Sequence, residues 1–308
     1  MLFASKHSGM EIGLNGVTCA LTGGSATAPR VRQVSHVAWQ PETITLSLRE
    51  PNIRNADAFV TAVRSAHEQL QCRSKMVAVS LPDGASRIIL FDLDGRFKSR
   101  SEAVDLIRWK LKKNIPFDPA DTMVDYQQLT VRENGDLALM VAIASRAVIT
   151  QYEDLIAAAG LVPSRIDCNS LNIFRLFDKR LSLQQESILV SFYAGTLTVT
   201  MFVEGIPEFF RSKDLSGCGA TDSRVYREIS SSLLVYRERF PERQPHTLFC
   251  IAPPDVMEDF LVMTAEATGL SPLPLEIKGV VVPGNQAPGD QKRLFFWSAA
   301  IGAAKGGN

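Results

Sequence analysis

The chain has no paired cysteines, few histidines and no charge excess. Its five cysteines, Cys19, Cys72, Cys168, Cys218 and Cys250, are odd in number and contain no C-x-x-C pair. That pattern favours free, mostly buried thiols in a reducing compartment over disulfides or zinc. The four histidines, His7, His36, His67 and His246, stand apart from cysteines and carboxylates, so no metal site is expected. Thirty-three basic residues balance thirty-three acidic ones, which argues against nucleic acid or an acidic membrane as the main partner. Long apolar runs are missing too. "MLFASKHSGM" lacks a signal-peptide core and "LFFWSAAIGAA" is about half of a membrane span. A cytoplasmic chain is expected, without direct membrane insertion, reaching a membrane only through a partner. There is no G-x-S-x-G and no Cys/His context for a nucleophilic hydrolase.

What is present is repeated grammar. With 308 residues the chain can bury about 75% of its unfolded surface, enough for two units. Glu11–Leu21 and Arg30–Trp39 read as strands of a three-strand meander, with turns at Asn15-Gly16 and Gly23-Gly24. Ala56–Leu70 follows with Phe59, Val63, Ala66 and Leu70 on one helical face, then the buried strand "MVAVSL". From Ser187 to Ser212 the pattern returns as "SILVSFY", "TLTVTMFV" and "IPEFFRS", split by Ala194-Gly195 and Glu204-Gly205. A helix over Ser223–Phe240, the strand "TLFCIA", a helix Asp255–Thr268, a short "PLPLEI" strand and one last helix in "RLFFWSAAIGAAK" complete it. Meander, helix, strand, helix, strand, helix is the order of the ribonuclease-H-like unit. The first copy has the same order once an insertion is set aside, consisting of helix Glu102–Lys113, strand Met123–Val131, a turn at Glu133–Asp136 and strand "LALMVAIAS".

The expected fold is therefore α/β and actin-like, two ribonuclease-H-like lobes with an α+β subdomain inserted in the first. Residues 1–85 and 146–182 form the first lobe, 86–145 the insertion and 183–308 the second lobe, whose last helix can pack back on the first. In that fold the first turn of each lobe wraps nucleotide phosphates with backbone N–H groups. The corresponding turns are "EIGLNGVT" at Glu11–Thr18 and "SFYAGTLT" at Ser191–Thr198.

The stretch "IRWKLKKNIPFDPADTMVDYQQL" then acquires a meaning. It resembles the W-x-x-x-x-x-I-P-F-x(6–8)-D-Y segment of the PilM family, the actin-like proteins of type IV pilus assembly. "MVAIASRAVITQYEDLIAAAGLVPSRIDCNSLNIFRLF" and "REISSSLLVY" extend the resemblance over Met10–Ala303. It implies an adaptor that binds the cytoplasmic tail of PilN, a single-span inner-membrane protein, in a groove between the first lobe and its insertion, alongside other pilus assembly proteins. The groove is expected near Arg108, Trp109, Ile115, Pro116, Phe117, Asp125 and Tyr126.

The departures from the family concern the nucleotide. Its Asp-x-Gly in each phosphate turn is Glu11-Ile12-Gly13 in the first lobe and Ser191-Phe192-Tyr193 in the second. Glu11 keeps a carboxylate for magnesium, whereas Tyr193 puts a ring where backbone must approach phosphate. The glycine-rich adenosine loop is replaced by "IAPPDV", and the second-lobe subdomain is reduced to about a dozen residues between Asp214 and the Arg227 helix. Glu11, Gly13, Asn15, Ser191, Tyr193 and Thr196 are thus expected to be a degenerate nucleotide site without ATP hydrolysis, catalytic residues or cofactor. The alternative is a working actin-like ATPase with ATP and magnesium at Glu11, Gly13 and Asn15.

Other signals have plainer readings. "IILFDLDGRF" resembles the D-x-D-G-T of haloacid-dehalogenase phosphatases with Asp92 as nucleophile and Asp94 as acid, but Arg96 replaces the threonine. A turn at Asp92–Gly95 is expected instead. "SGCGATDS" lacks a third glycine and reads as a loop capping the next helix through Thr221 or Asp222. The cluster Arg108, Lys110, Lys112 and Lys113 offsets a helix dipole, and Trp109 and Leu106 are expected in the core. Leu171, Phe174, Phe177 and Leu181 are expected to pack their helix on its own sheet.

Overall fold

A computed structural model describes residues 7–25, 28–94, 97–112, 115, 118–284, 287 and 289–305. The first part runs β1 (His7–Ile12), β2 (Gly16–Ser25), β3 (Ala28–Ala38), α1 (Ala56–Gln69) and β4 (Met76–Leu81). Next come β5 (Arg87–Leu93), α2 (Arg100–Leu111), β6 (Thr122–Val131) and β7 (Leu137–Ser145), then α3 (Arg146–Ala158), β8 (Val162–Cys168) and α4 (Asn169–Leu181). The second part has β9 (Glu186–Tyr193), β10 (Thr196–Val203), β11 (Ile206–Asp214), α5 (Ser223–Arg239), β12 (Thr247–Ile251), α6 (Met257–Thr268) and β13 (Pro272–Pro274). β14 (Val282–Pro283), α7 (Gln291–Phe296) and α8 (Ser298–Ala304) follow. Among the described residues no helix is long and apolar enough to cross a membrane.

Three sheets result. The first has the order β14-β3-β2-β1-β4-β8, the second β11-β10-β9-β12-β13, and the third β5-β7-β6. In the two large sheets an antiparallel meander is followed by strands parallel to its first member, β4 to β1 and β12 to β9. This is the duplicated actin-like architecture. In the two large sheets each of the four edge strands, β8, β11, β13 and β14, contains proline, which offers no N–H to a ladder partner at that position.

Local chemistry sets the element ends. Asn55 caps α1 by accepting from the Ala58 amide, and Ser99 and Asp222 do the same for α2 and α5. Gly160 and Gly269 take φ of 82° and 74° after α3 and α6, a backbone that glycine adopts without strain. Phe59, Val63 and Tyr152 bury against β1 and β4, while Val225, Ile229 and Phe260 do so on the second sheet.

Four expectations need correction. Gly23-Gly24 lies inside β2, where the pairing shifts register at Leu21/Thr22, and not at the turn. Asp92 and Leu93 close β5 as strand residues, with Leu93 fully buried; Gly95 and Arg96 lie outside the described residues. The last helix is two, because Trp297 leaves helical geometry and the Ser298 hydroxyl takes the Phe295 carbonyl. Trp109 is 71% exposed on α2, since Ala103, Ile107 and Leu111 alone supply its buried stripe.

The chain returns to the first sheet at its end, where β14 pairs with β3 and α8 packs under β1 and against α4. Two glycines permit this approach. A Cβ on Gly9 would overlap the Ala300 carbonyl, and one on Gly302 the Asn172 carbonyl. Gly9→Ala and Gly302→Ala are each expected to lower stability by about 1–3 kcal/mol through overpacking. Gly217→Ala, with open space around it, should stay within about 0.5 kcal/mol. Urea unfolding of the three variants checks this.

Candidate functional site: a filled cleft and an open groove

Where two actin-like lobes face each other, their first turns meet. Glu11 stands on β1 one residue before its end, and Tyr193 is the last residue of β9, so both strands point their ends into the junction. The Tyr193 phenol donates to the Glu11 carboxyl, 2.9 Å from both oxygens, and lies 3.3 Å from the Phe296 carbonyl. Phe295 packs edge-on to the Tyr193 ring at 5.4 Å. Glu11, Tyr193 and Phe295 are all buried, so this part of the cleft is filled by protein.

Burial dominates the titration of the pair. It pushes Glu11 up to about 8 from its ordinary 4.5, against the lowering effect of hydrogen bonds with Tyr193 and Ala300. Tyr193 is also raised, first by burial and then by the Glu11 charge. Both groups are therefore neutral at pH 7, a poor donor set for magnesium, which takes ionised carboxylates.

The turns themselves are engaged. The first is closed by the Gly13 amide on the Gly16 carbonyl at 2.9 Å, and Trp39 takes the Leu14 carbonyl through Nε1 at 2.8 Å. In the second, Ala194 and Gly195 both have positive φ, 48° and 77°, the two-residue turn that suits a right-twisted hairpin. A Cβ on Gly195 would come within 2.7 Å of Ser216 Cα, and the Leu215 amide donates to the Gly195 carbonyl. The short connector between β11 and α5 thus lies directly on the turn.

Of the remaining cleft residues, Asn15 is exposed and Ser191 is buried in the β9 ladder. Thr196 lines a cavity of about 210 Å³ with Asp83, Gly84, Ser212 and Asp214. Drug-sized ligands occupy about 300–1,000 Å³. Asp83 is raised by loss of hydration, and accepts from the Ser170 amide and hydroxyl. Among the described residues no group of three or more His, Cys, Asp or Glu is arranged to hold a metal.

The second site is a groove of about 300 Å³ between the first sheet and the inserted sheet. Six consecutive residues of β8, Pro163 to Cys168, line it. A run that includes both faces of a strand marks its edge, and β8 is indeed the last strand of its sheet. Opposite lie Met123, Val124 and Asp125 of β6, itself an edge strand, with Ala142–Ala144 of β7. Leu81, Ile149, Ile166 and Leu171 supply an apolar floor, and Glu153, Arg165 and Asp167 the charge. Asp167 holds Arg165 at 2.6 Å and Arg175 at 3.2 Å, and Arg165 donates onward to the Ala303 carbonyl of α8 at 2.9 Å.

Of the described residues expected around such a groove, only Asp125 lines it. Ile115 is buried in the core of the insertion with Leu93, Ile107 and Leu139. Arg108 donates to the Thr122 carbonyl and pairs with Asp105 at 3.3 Å. Tyr126 stacks edge-on with Phe97 at 5.7 Å under Arg100, which also pairs with Asp125. Trp109 is exposed and is not among the residues that line the groove, and Pro116 and Phe117 lie outside the described residues. The segment therefore builds the insertion and gives the groove one wall through Met123, Val124 and Asp125, while the opposite wall comes from β8 and α3. Pro163 in "VPSRIDC" is the signal that points to β8, because proline inside a strand marks an edge.

Asp92, the alternative nucleophile, sits on an antiparallel edge strand and pairs with Arg132 at 3.1 Å. Leu171 lines the groove rather than the core, whereas Phe177 and Leu181 are buried and Phe174 packs on Phe202 and Phe210.

The chain matches no protein-family model and no curated protein sequence. Its fold is that of solved actin-like proteins. A structure of the PilM-PilN type IV pilus biogenesis complex superposes with a TM-score of 0.79 at 17% identity, covering 97% of each chain. A Bacteroides thetaiotaomicron protein of actin-like ATPase fold reaches 0.53 at 11% identity, covering 96% of this chain and 95% of that one. The cytoplasmic domain of EpsL, an inner-membrane component of the type II secretion system of Vibrio cholerae, reaches 0.52 at 12%, with the same coverages.

The buried pair predicts a pH signature. With Glu11 at 4.5 unfolded and about 8 folded, its contribution is full below pH 4.5 and is lost as pH rises to about 8. Stability should fall by up to about 1.4 kcal/mol per pH unit across that window. Glu11→Gln, which cannot ionise, should flatten the slope in thermal unfolding followed against pH.

Proposed function

We propose that the protein is a PilM-like adaptor of a type IV pilus or related machine, which binds the cytoplasmic N-terminal tail of a PilN-like single-span inner-membrane protein and does not hydrolyse ATP. The observation that carries this reading is the groove between β8 and the inserted sheet. A free strand edge beside an apolar floor suits an extended peptide, whose main chain adds to the ladder while one or two apolar side chains fill the floor. The likeness over nearly the whole length of both chains to the PilM-PilN structure supports it, as does the I-P-F…D-Y segment. Association with the inner membrane then runs through the partner's span.

The cleft supports the second half of the proposal. An ATPase stabilises charge on transferring phosphate with metal and positioned backbone donors. Here the strand ends are joined by Tyr193 and a protonated Glu11, and Ser216 covers the second turn. The lobes are held together by side chains where an ATPase would use nucleotide.

Titration calorimetry with the tail peptide encoded beside this protein should show saturable binding. Ile149→Asp on the groove floor should weaken it at least about tenfold, roughly 1.4 kcal/mol. A peptide methylated on alternate backbone nitrogens should lose binding if the β8 edge is used. Absence of binding by any such tail would sink the adaptor reading. Micromolar magnesium-ATP affinity, or turnover abolished by Glu11→Ala, would contradict the claim about the cleft.

A further inference from the structure

The outer face of the second lobe carries features that neither the cleft nor the groove uses. α5 and α6 cover one side of the second sheet, and their buried stripes, Val225, Ile229, Leu233 and Phe260, face it. Their outer surfaces expose Leu234 at 59%, Val235 at 42% and Val262 at 70%. Isolated exposed apolar residues are ordinary, but these stand at mid-helix on neighbouring helices.

The charges around them are sorted by sign over the first half of α5 and along α6. On α5 the exposed stripe through Leu234 contains Arg224 and Arg227, spaced to share one face, and Arg237 follows in the last turn. On α6 the residues flanking Val262 are Glu258, Asp259 and Glu266, and the helix has no Lys or Arg at all. None of these six charges has an ion-pair partner among the described residues, although Arg211 and Lys213 nearby are both satisfied by Glu228. The first half of α5 therefore offers unpaired positive charge, with Glu238 set between Arg237 and Arg239 in the last turn, α6 offers unpaired negative charge, and apolar side chains stand between.

Topology aligns them. α5 connects β11 to β12 and α6 connects β12 to β13, all three strands running parallel through the meander, so both helices run back along the sheet with their N-termini at one end. A two-fold axis along the helices then lays α5 of one molecule over α6 of another. Arg224 and Arg227 meet Glu258 and Asp259, and the apolar side chains meet at the middle. Such a surface is self-complementary, the requirement of an isologous contact.

We infer that the α5–α6 face is a self-association surface whose occupant is a second copy of this chain. It lies on the second lobe, apart from the tail groove on the first, so dimerisation and tail binding use separate faces. The dimer is held by desolvated apolar contact and steered by charge, and it weakens as salt screens the four-residue cluster.

Sedimentation velocity and light scattering of the full chain over about a hundredfold dilution series test this. The native chain should pass from dimer to monomer, with a dissociation constant that rises with sodium chloride. R224E/R227E, which places acid against acid, and E258R/D259R, which places base against base, should each remain monomeric. Mixed in equal amounts, the two variants should form a heterodimer, because both contacts become complementary again; this also shows that both are folded. Val262→Asp should raise the dissociation constant at least tenfold while leaving tail-peptide affinity unchanged. A native chain that stays monomeric throughout, single variants that still dimerise, or a mixture that does not recover the dimer would each overturn the inference.

Discussion

The contact between Glu11 and Tyr193 organises the molecule. It joins residues 182 positions apart, one from each lobe, at the place where an actin-like protein ordinarily inserts a nucleotide between the strand ends. Isolated in an apolar junction, an ionised glutamate would be costly; the neutral acid beside a phenol is tolerated, and the raised pKa of Glu11 expresses that choice. Phe295, whose ring packs on Tyr193, and Phe296, whose carbonyl approaches the phenol, come from α7, at the point where the chain returns to the first lobe. The lobes are thus tied by the pair and by the covalent return of the last helices.

With the lobes tied, the inserted subdomain is held from two sides. Its strands grow out of β4 and run back into α3 of the first lobe, while Arg132 of the β6–β7 turn reaches Glu208 of β11 at 3.5 Å. Glu208 is buried and also engaged by Arg243, which pairs in turn with Glu186 at 3.2 Å. Buried, multiply paired carboxylates fix geometry more reliably than they add stability. The groove between β8 and the inserted sheet is consequently framed by rigid elements, the condition for a peptide to bind without a large ordering cost to the receptor.

Much of this fold was legible in the residues. The strands "MVAVSL", "LALMVAIAS" and "VPSRIDC" have the bounds their alternation indicates, and the duplication follows from two meanders, each preceding a helix and a buried strand. The residues that meet at the cleft were legible as well, since Glu11 and Tyr193 stand in the first turns of the two copies. The groove was not. A motif such as I-P-F…D-Y identifies a segment, but Ile115 is spent on the core of the insertion and Arg108 on the Thr122 carbonyl. Of that stretch Met123, Val124 and Asp125 form one wall, and the opposite wall comes from β8 and α3, elements remote in sequence from the motif. Pro163 is the signal on that side. Trp109 escaped for a related reason, because the α2 stripe is full without it and pattern alone does not say which large side chain is left outside.

The central claim is that the cleft is closed by the protein's own side chains and that the working surface is the groove. Hydrogen–deuterium exchange of the whole chain, with and without each ligand, separates these two places in one experiment. The tail peptide should slow exchange in β8 and at the start of β6, while magnesium-ATP leaves the turns at residues 13–15 and 194–195 unchanged. Protection of those turns by magnesium-ATP, with β8 indifferent to the peptide, would contradict the account.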